Sequence, residues 1–373
     1  MRTIGLALLA TFASTLGAAC APIGDAAGTP KSTVDGGSAA VDQNCDTTNI
    51  PSQSGSITFT GSADNVPTGC WQLTGTLTVG AGVSTLAKLG DLRGVTNLVI
   101  KGSSLTSIDT PYAIAVGQQI DIENNAELTD LTNLSVPTDS TGTTCGTYIQ
   151  SVTLTNNAAL TGLGGLNQLR CVSGATAITN NAALTTVDLS NAIRLEAGLT
   201  ISGNALLSSI QLTALDSVTT GIDIENNAVL TDLGTWSALQ FIHGYLTIEQ
   251  NPMLTTLAGV FTQTQAATLA IEGKLTIDNN ATLTEVDAFA YLASAVTIDV
   301  SNNADLTYCE ARAIGCCVLD SEWSSASGAT ISKDNGTTCA TQSWCYAQNG
   351  TCSNNYTGYS GGNPSGQPAA GNQ

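Results

Sequence analysis

From residue 122 onward the chain repeats one arrangement of apolar and polar positions: an aliphatic residue, Asn three places on, Leu three after that, and a second aliphatic residue three further. The copies are Ile122/Asn125/Leu128/Leu131, Leu154/Asn157/Leu160/Leu163, Ile178/Asn181/Leu184/Val187, Ile201/Asn204/Leu207/Ile210 and Ile224/Asn227/Leu230/Leu233. They continue as Ile248/Asn251/Leu254/Leu257, Ile277/Asn280/Leu283/Val286 and Val300/Asn303/Leu306, where Cys309 takes the last place. Successive asparagines are 32, 24, 23, 23, 24, 29 and 23 residues apart, so the period is 23 or 24 with two insertions. Degenerate copies at 57–60, 77–79 and 98–108 bring the total to about eleven turns.

Each copy opens with an alternation of period two, as in Ile222-Asp223-Ile224-Glu225, which predicts a short strand with one face buried. The Asn that follows is suited to a tight turn, and its amide can satisfy turn N–H and C=O groups that would otherwise be buried unpaired. Stacked coil on coil, Asn125, Asn157, Asn181, Asn204, Asn227, Asn251, Asn280 and Asn303 are expected to form an internal ladder. One coil cannot bury its own apolar set, so stability must come from neighbours stacked in parallel about 4.8 Å apart. The expected fold is all-β, a parallel β-helix or leucine-rich-repeat-like solenoid.

These residues resemble the receptor L-domain family. The resemblance covers residues 45–352 and includes Gly69-Cys70 followed by Leu73-x-Gly75-x-Leu77-x-Val79, the repeated I-x-x-N-x-x-L-T-x-L, and a terminal Leu306-x-x-Cys309-Glu310-Ala311 like that family's C-terminal cap. It implies a right-handed coil and a recognition or structural module outside the cell. No furin-like cysteine-rich region or kinase follows, so hormone binding is not carried over.

Composition narrows the chemistry. Only 10% of residues are charged, against about a quarter in an average domain, so the surface must be mostly neutral and polar. The formal charge of -19 excludes the positive field that nucleic acid requires. The single histidine, His243, rules out a multi-histidine metal centre and leaves most hydrolase triads without their usual base. No cofactor is expected.

Residues 1–19 read as an export signal, with an apolar stretch over 4–16 and small residues 17–19 before Cys20. Small residues followed by Cys resemble the lipobox of bacterial lipoproteins, although Gly17 stands where Leu is preferred. Cys20 is therefore the expected lipidation site, the protein an outer-membrane or cell-surface lipoprotein or a secreted one, and membrane contact is through the lipid alone. Residues 20–44 form a flexible tether, 45–308 the solenoid, 309–352 a cysteine-rich cap and 353–373 a disordered tail.

Setting Cys20 aside leaves ten of the 11 cysteines, an even number that suits disulfides in an oxidising compartment. Residues one repeat apart lie within disulfide reach on adjacent coils, which predicts Cys45 with Cys70 and Cys145 with Cys171. Cys316 and Cys339 are also one repeat apart, but the pairing among Cys309, Cys316, Cys317, Cys339, Cys345 and Cys352 stays open. The absence of any C-x-x-C spacing argues against zinc.

Outward strand positions are the natural platform for function. Before each anchoring aliphatic residue stand Asp121, Thr153, Ala177, Thr200, Asp223, Thr247, Thr276 and Asp299; after it stand Glu123, Thr155, Thr179, Ser202, Glu225, Glu249, Asp278 and Ser301. Asp223, Glu225, Glu249 and Asp278 fall on three successive coils and are the candidate binding face. Carboxylates so spaced could serve glycoside hydrolysis or ligate Ca²⁺, yet exposed acidic residues more often only solvate a surface. Pairs such as Thr58/Thr60 and Thr76/Thr78 suggest a flat ice-binding face, but carboxylates interrupt that ladder. Trp236, Phe241, His243 and Tyr245 could stack on sugar or pack a turn. The insertion at 258–273 is expected to be a helix or an exposed loop. The function that follows is non-catalytic recognition, adhesion or envelope structure directed at an extracellular protein or glycan. A secreted polysaccharide-active enzyme is the alternative.

Overall fold

A computed structural model of the chain describes residues 50–63, 66–136, 145, 148–261, 269–307, 311, 314, 329–331, 347–348 and 351–352. The chain is a parallel β-solenoid of about ten coils. Eleven repeat strands bound those coils: Ile57–Phe59, Trp71–Val79, Leu92–Lys101, Ile114–Glu123, Ser151–Thr155, Thr176–Thr179, Leu199–Ser202, Gly221–Glu225, Tyr245–Glu249, Ala270–Asp278 and Ser294–Ser301. Each pairs in parallel with the next. Ala329–Ile331, inside the expected cap, adds one further parallel strand against Ser294–Ser301.

A second column of short strands precedes the first in every coil, pairing Arg194–Leu195 with Ser217–Val218 and the latter with Phe241–Ile242. In the longest strands the two columns fuse through a register shift, as between Ile271 and Lys274. The second insertion is thus shorter than its sequence suggests, because residues 270–273 already belong to a strand; residues 262–268 lie outside the described residues.

The repeat places its apolar residues as the pattern requires. Ile122, Leu128 and Leu131 are fully buried, as are Ile224, Leu230 and Leu233, and one continuous apolar core runs the length of the coil. The eight ladder asparagines are completely buried. Each Nδ2 donates to the carbonyl of the anchoring aliphatic residue one coil earlier, as from Asn227 to Ile201 at 3.0 Å and from Asn251 to Ile224 at 2.9 Å. Each Oδ1 accepts the backbone N–H of the preceding ladder residue, as from Asn204 to Asn227 at 3.2 Å. The ladder continues one coil further towards the N-terminus, where Ser103 donates both its backbone N–H and its hydroxyl to Asn125 Oδ1.

Turn and ladder are separate tasks, which corrects the single role expected of the asparagine. The positive φ falls on the residue before it: Asn124, Asn156, Asn180, Asn226, Gln250, Asn279 and Asn302 all lie between 54° and 59°, and Gly203 takes 68°. Asn and Gly tolerate this left-handed region; Gln does so poorly. At Gly203 an added Cβ would lie 2.3 Å from Asn180 Oδ1, so a side chain there requires the Asn180 amide to turn aside.

A second ladder runs on the outside of the turn. The hydroxyls of Thr129, Thr161, Thr185 and Ser208 donate to the carbonyl of Thr106, Thr129, Thr161 and Thr185 respectively. Its signal is the Thr or Ser that follows the repeat Leu in every copy.

Cys145 and Cys171 are disulfide-bonded with Cα atoms 5.7 Å apart, which ties the first insertion to the next coil as expected. Cys70 is disulfide-bonded as well. Its expected partner Cys45 lies outside the described residues, as do Cys20, Cys309, Cys316, Cys317, Cys339 and Cys345. Cys352 ends the short strand Thr351–Cys352, antiparallel to Ala347–Gln348.

Candidate functional site

The register brings the predicted outward positions into two continuous columns. One stacks Asp121, Thr153, Ala177, Thr200, Asp223, Thr247, Thr276 and Asp299. The other stacks Glu123, Thr155, Thr179, Ser202, Glu225, Glu249, Asp278 and Ser301 through the same pairings. Glu225, Glu249 and Asp278 are therefore direct neighbours, with Asp223 beside them in the first column.

These four carboxylates do not behave as one site. Asp278 is engaged by Asn279 Nδ2, by the Ser301 hydroxyl at 2.7 Å and by Asn302 Nδ2 at 2.8 Å. Asp223 accepts the Tyr245 hydroxyl at 2.9 Å. Among the described residues, none donates a hydrogen bond to the side-chain carboxylate of Glu225 or Glu249, although their backbone carbonyls accept from Gly203 and Asn226. Partial burial raises the pKa of Glu225 above its ordinary value, and the charges of Glu249 and Asp223 raise it further. Among the described residues no three His, Cys, Asp or Glu side chains form a group able to hold a metal ion. The column also sets two carboxyls side by side, whereas glycoside hydrolysis needs them on either side of the scissile bond.

Two exposed lysines serve neighbouring acids. Lys274 Nζ lies 2.8 Å from Asp299, and Lys101 Nζ lies 2.7 Å from Asp121 and 3.3 Å from Glu123. The hydrogen bond to Asp121 is the main cause that raises the Lys101 pKa. Asp121, outward by pattern, is only 9% exposed, and its Oδ1 is buried without a hydrogen-bond partner.

The aromatic cluster divides. Trp236 is fully buried, donates Nε1–H to Leu233 O at 3.0 Å and meets Phe261 edge to face. It packs a turn. Phe241, His243 and Tyr245 instead alternate along one edge of the coil and point outward, with Phe241 41% and Tyr245 37% exposed. The Phe241 and His243 rings are parallel within 6° at a centroid distance of 5.9 Å. His243 Nδ1 lies 2.9 Å from Glu272 Oε2 on the next coil. The Tyr245 ring lies against Gly221 on the preceding coil, where a Cβ would sit 2.8 Å from two ring carbons. Burial first, and the hydrogen bond to Asp223 second, raise the pKa of its phenol. The cluster was visible in the sequence as a local run, but its split between core and surface needs the coil register.

Compared with protein-family models, with curated proteins and with solved structures, the chain matches none.

Proposed function

We propose that this chain is a non-catalytic recognition or structural module of receptor L-domain type. It is exported, tethered to the cell surface by a lipid on Cys20, and presents its solenoid face to an extracellular protein or glycan. The observation that carries this reading is the regularity of the outward face. Short polar side chains stack in register over eight coils, and the carboxylates among them are tied to neighbours or stand side by side instead of converging. Such a surface offers breadth and rigidity, which suits binding, and lacks the opposed acid and base that bond cleavage requires. The disulfide between Cys145 and Cys171 fits an oxidising compartment.

Intact mass measured on protein from the membrane fraction of a bacterial host tests the placement. The expected species begins at Cys20, carries a diacyl or triacyl adduct and gains about two mass units per disulfide on reduction. A soluble species without the adduct would move the protein to the secreted class.

A further inference from the structure

Three outward features stand apart from the threonine face: the acidic column, the exposed apolar side chains Leu206, Val229 and Met253 on successive coils, and the row Phe241, His243 and Tyr245. The third combines shape, rigidity and polar chemistry. We infer that this row is a carbohydrate-binding subsite for a neutral glycan, a deeper version of the recognition function proposed above and dependent on it.

Aromatic residues make up only 5% of the chain. Among the described residues, Phe241 and Tyr245 are the exposed large aromatic hydrophobics. They sit two residues either side of His243, Phe241 opening the strand Phe241–Ile242 and Tyr245 opening the next strand across a bend at His243 and Gly244, and the Phe241 and His243 rings lie parallel with centroids 5.9 Å apart. That spacing is close to the length of a pyranose ring, whose C–H face packs on aromatic rings.

The rings are also held. Tyr245 is fixed by its hydrogen bond to Asp223 and by the bare backbone of Gly221 beneath it. His243 is fixed by Glu272 and by the parallel Phe241 ring. An exposed aromatic already locked by a neighbouring coil loses little conformational entropy on binding. Carboxylate oxygens of Asp223 and Glu272 flank the rings and can accept hydroxyl protons from a sugar edge. The same acids, with Asp216 and Glu225 on the preceding coil and a chain charge of -19, repel uronic, sulfated or phosphorylated glycans. Neutral hexose polymers remain the class that matches both the rings and the charge.

Affinity electrophoresis of the folded chain through gels holding mixed-linkage glucan, mannan, galactan or alginate tests this. The expected result is retardation by at least one neutral polymer and none by alginate. Phe241→Ala and Tyr245→Ala should each weaken retardation at least tenfold, whereas Met253→Ala, in the turn after the strand Tyr245–Glu249, leaves it unchanged. Thermal melting of each variant separates lost binding from lost fold, and Tyr245→Phe, which keeps the ring, should retain most of the retardation. Retardation unchanged in both alanine variants would overturn the subsite and leave the recognition function standing. Capture of a basic peptide on an affinity resin by the same folded chain, with no retardation by any neutral polymer, would overturn the glycan assignment alone. Failure to retain any of these probes would count against both.

Discussion

Asn227 does three things at once: it donates to Ile201 O and to Asn251 Oδ1, and it accepts the backbone N–H of Asn204. Replacing it with Ala leaves a buried carbonyl and a buried N–H unpaired, each costing roughly 1–3 kcal/mol, so Asn227→Ala should destabilise by about 2–5 kcal/mol in urea unfolding. Its neighbour Asn226 carries the turn instead, and Asn226→Ala should cost only about 1–2 kcal/mol. At the equivalent place Gln250 holds φ 54° without the tolerance of Asn. Gln250→Gly should therefore stabilise the chain by about 0.5–1 kcal/mol. The Asn-Asn pairs were readable in the sequence, but which of the two takes the left-handed angle was not, because both residue types fit both roles. Gly203 points to the answer in hindsight: it stands where only φ is demanded, never where the ladder amide is needed.

The carboxylates give a pH-dependent consequence at the same scale. Glu225 has a folded pKa above its ordinary 4.5, so ionising it costs stability. That cost is complete above the folded pKa and disappears below the unfolded one. Glu225→Gln should therefore raise the melting temperature at neutral pH, with the gain vanishing in acid. The Tyr245 phenol should ionise above 10.0, and Asp223→Ala should lower its titration midpoint without restoring it fully, since burial is the larger cause. Alkaline difference absorbance reads both.

At the level of the element, a strand of four or five residues is short for independent stability, and each gains it by pairing on both edges. Gly221–Glu225 pairs with Leu199–Ser202 on one side and Tyr245–Glu249 on the other. The period was legible because every strand obeys the same inward-outward alternation. The preceding column of short strands was not, since two-residue pieces such as Arg194–Leu195 and Ser217–Val218 carry no periodicity of their own. They form because the coil has already set adjacent backbones at pairing distance. The aromatic row shows the same limit. Phe241 and Trp236 are equally apolar, and only the register decides that one faces solvent and the other the core.

Viewed whole, the molecule is a one-dimensional stack in which each coil depends on its neighbours. Deleting 204–226, one full period, should leave a folded protein, because Asn181 and Asn227 would then meet as ladder neighbours. Deleting half that length should abolish the cooperative melt, since it breaks the register of every column at once. Circular dichroism melting distinguishes the two. The disulfide between Cys145 and Cys171 closes a loop of 26 residues and should contribute about 3 kcal/mol, lost in the Cys145→Ser/Cys171→Ser variant. The architecture was written in the chain by repetition, whereas the ligand was not, because the outward positions are free of the packing rules that make the inward ones regular.

We propose that this rigid face binds without cutting. The most direct test incubates the purified chain with soluble polysaccharides and measures retained polymer and newly released reducing ends in the same sample. Retention of a neutral polymer with no reducing ends above the protein-free control is the result predicted. Release of reducing ends that is lost in Glu225→Gln or Glu249→Gln would overturn this reading and make the acidic column an active site.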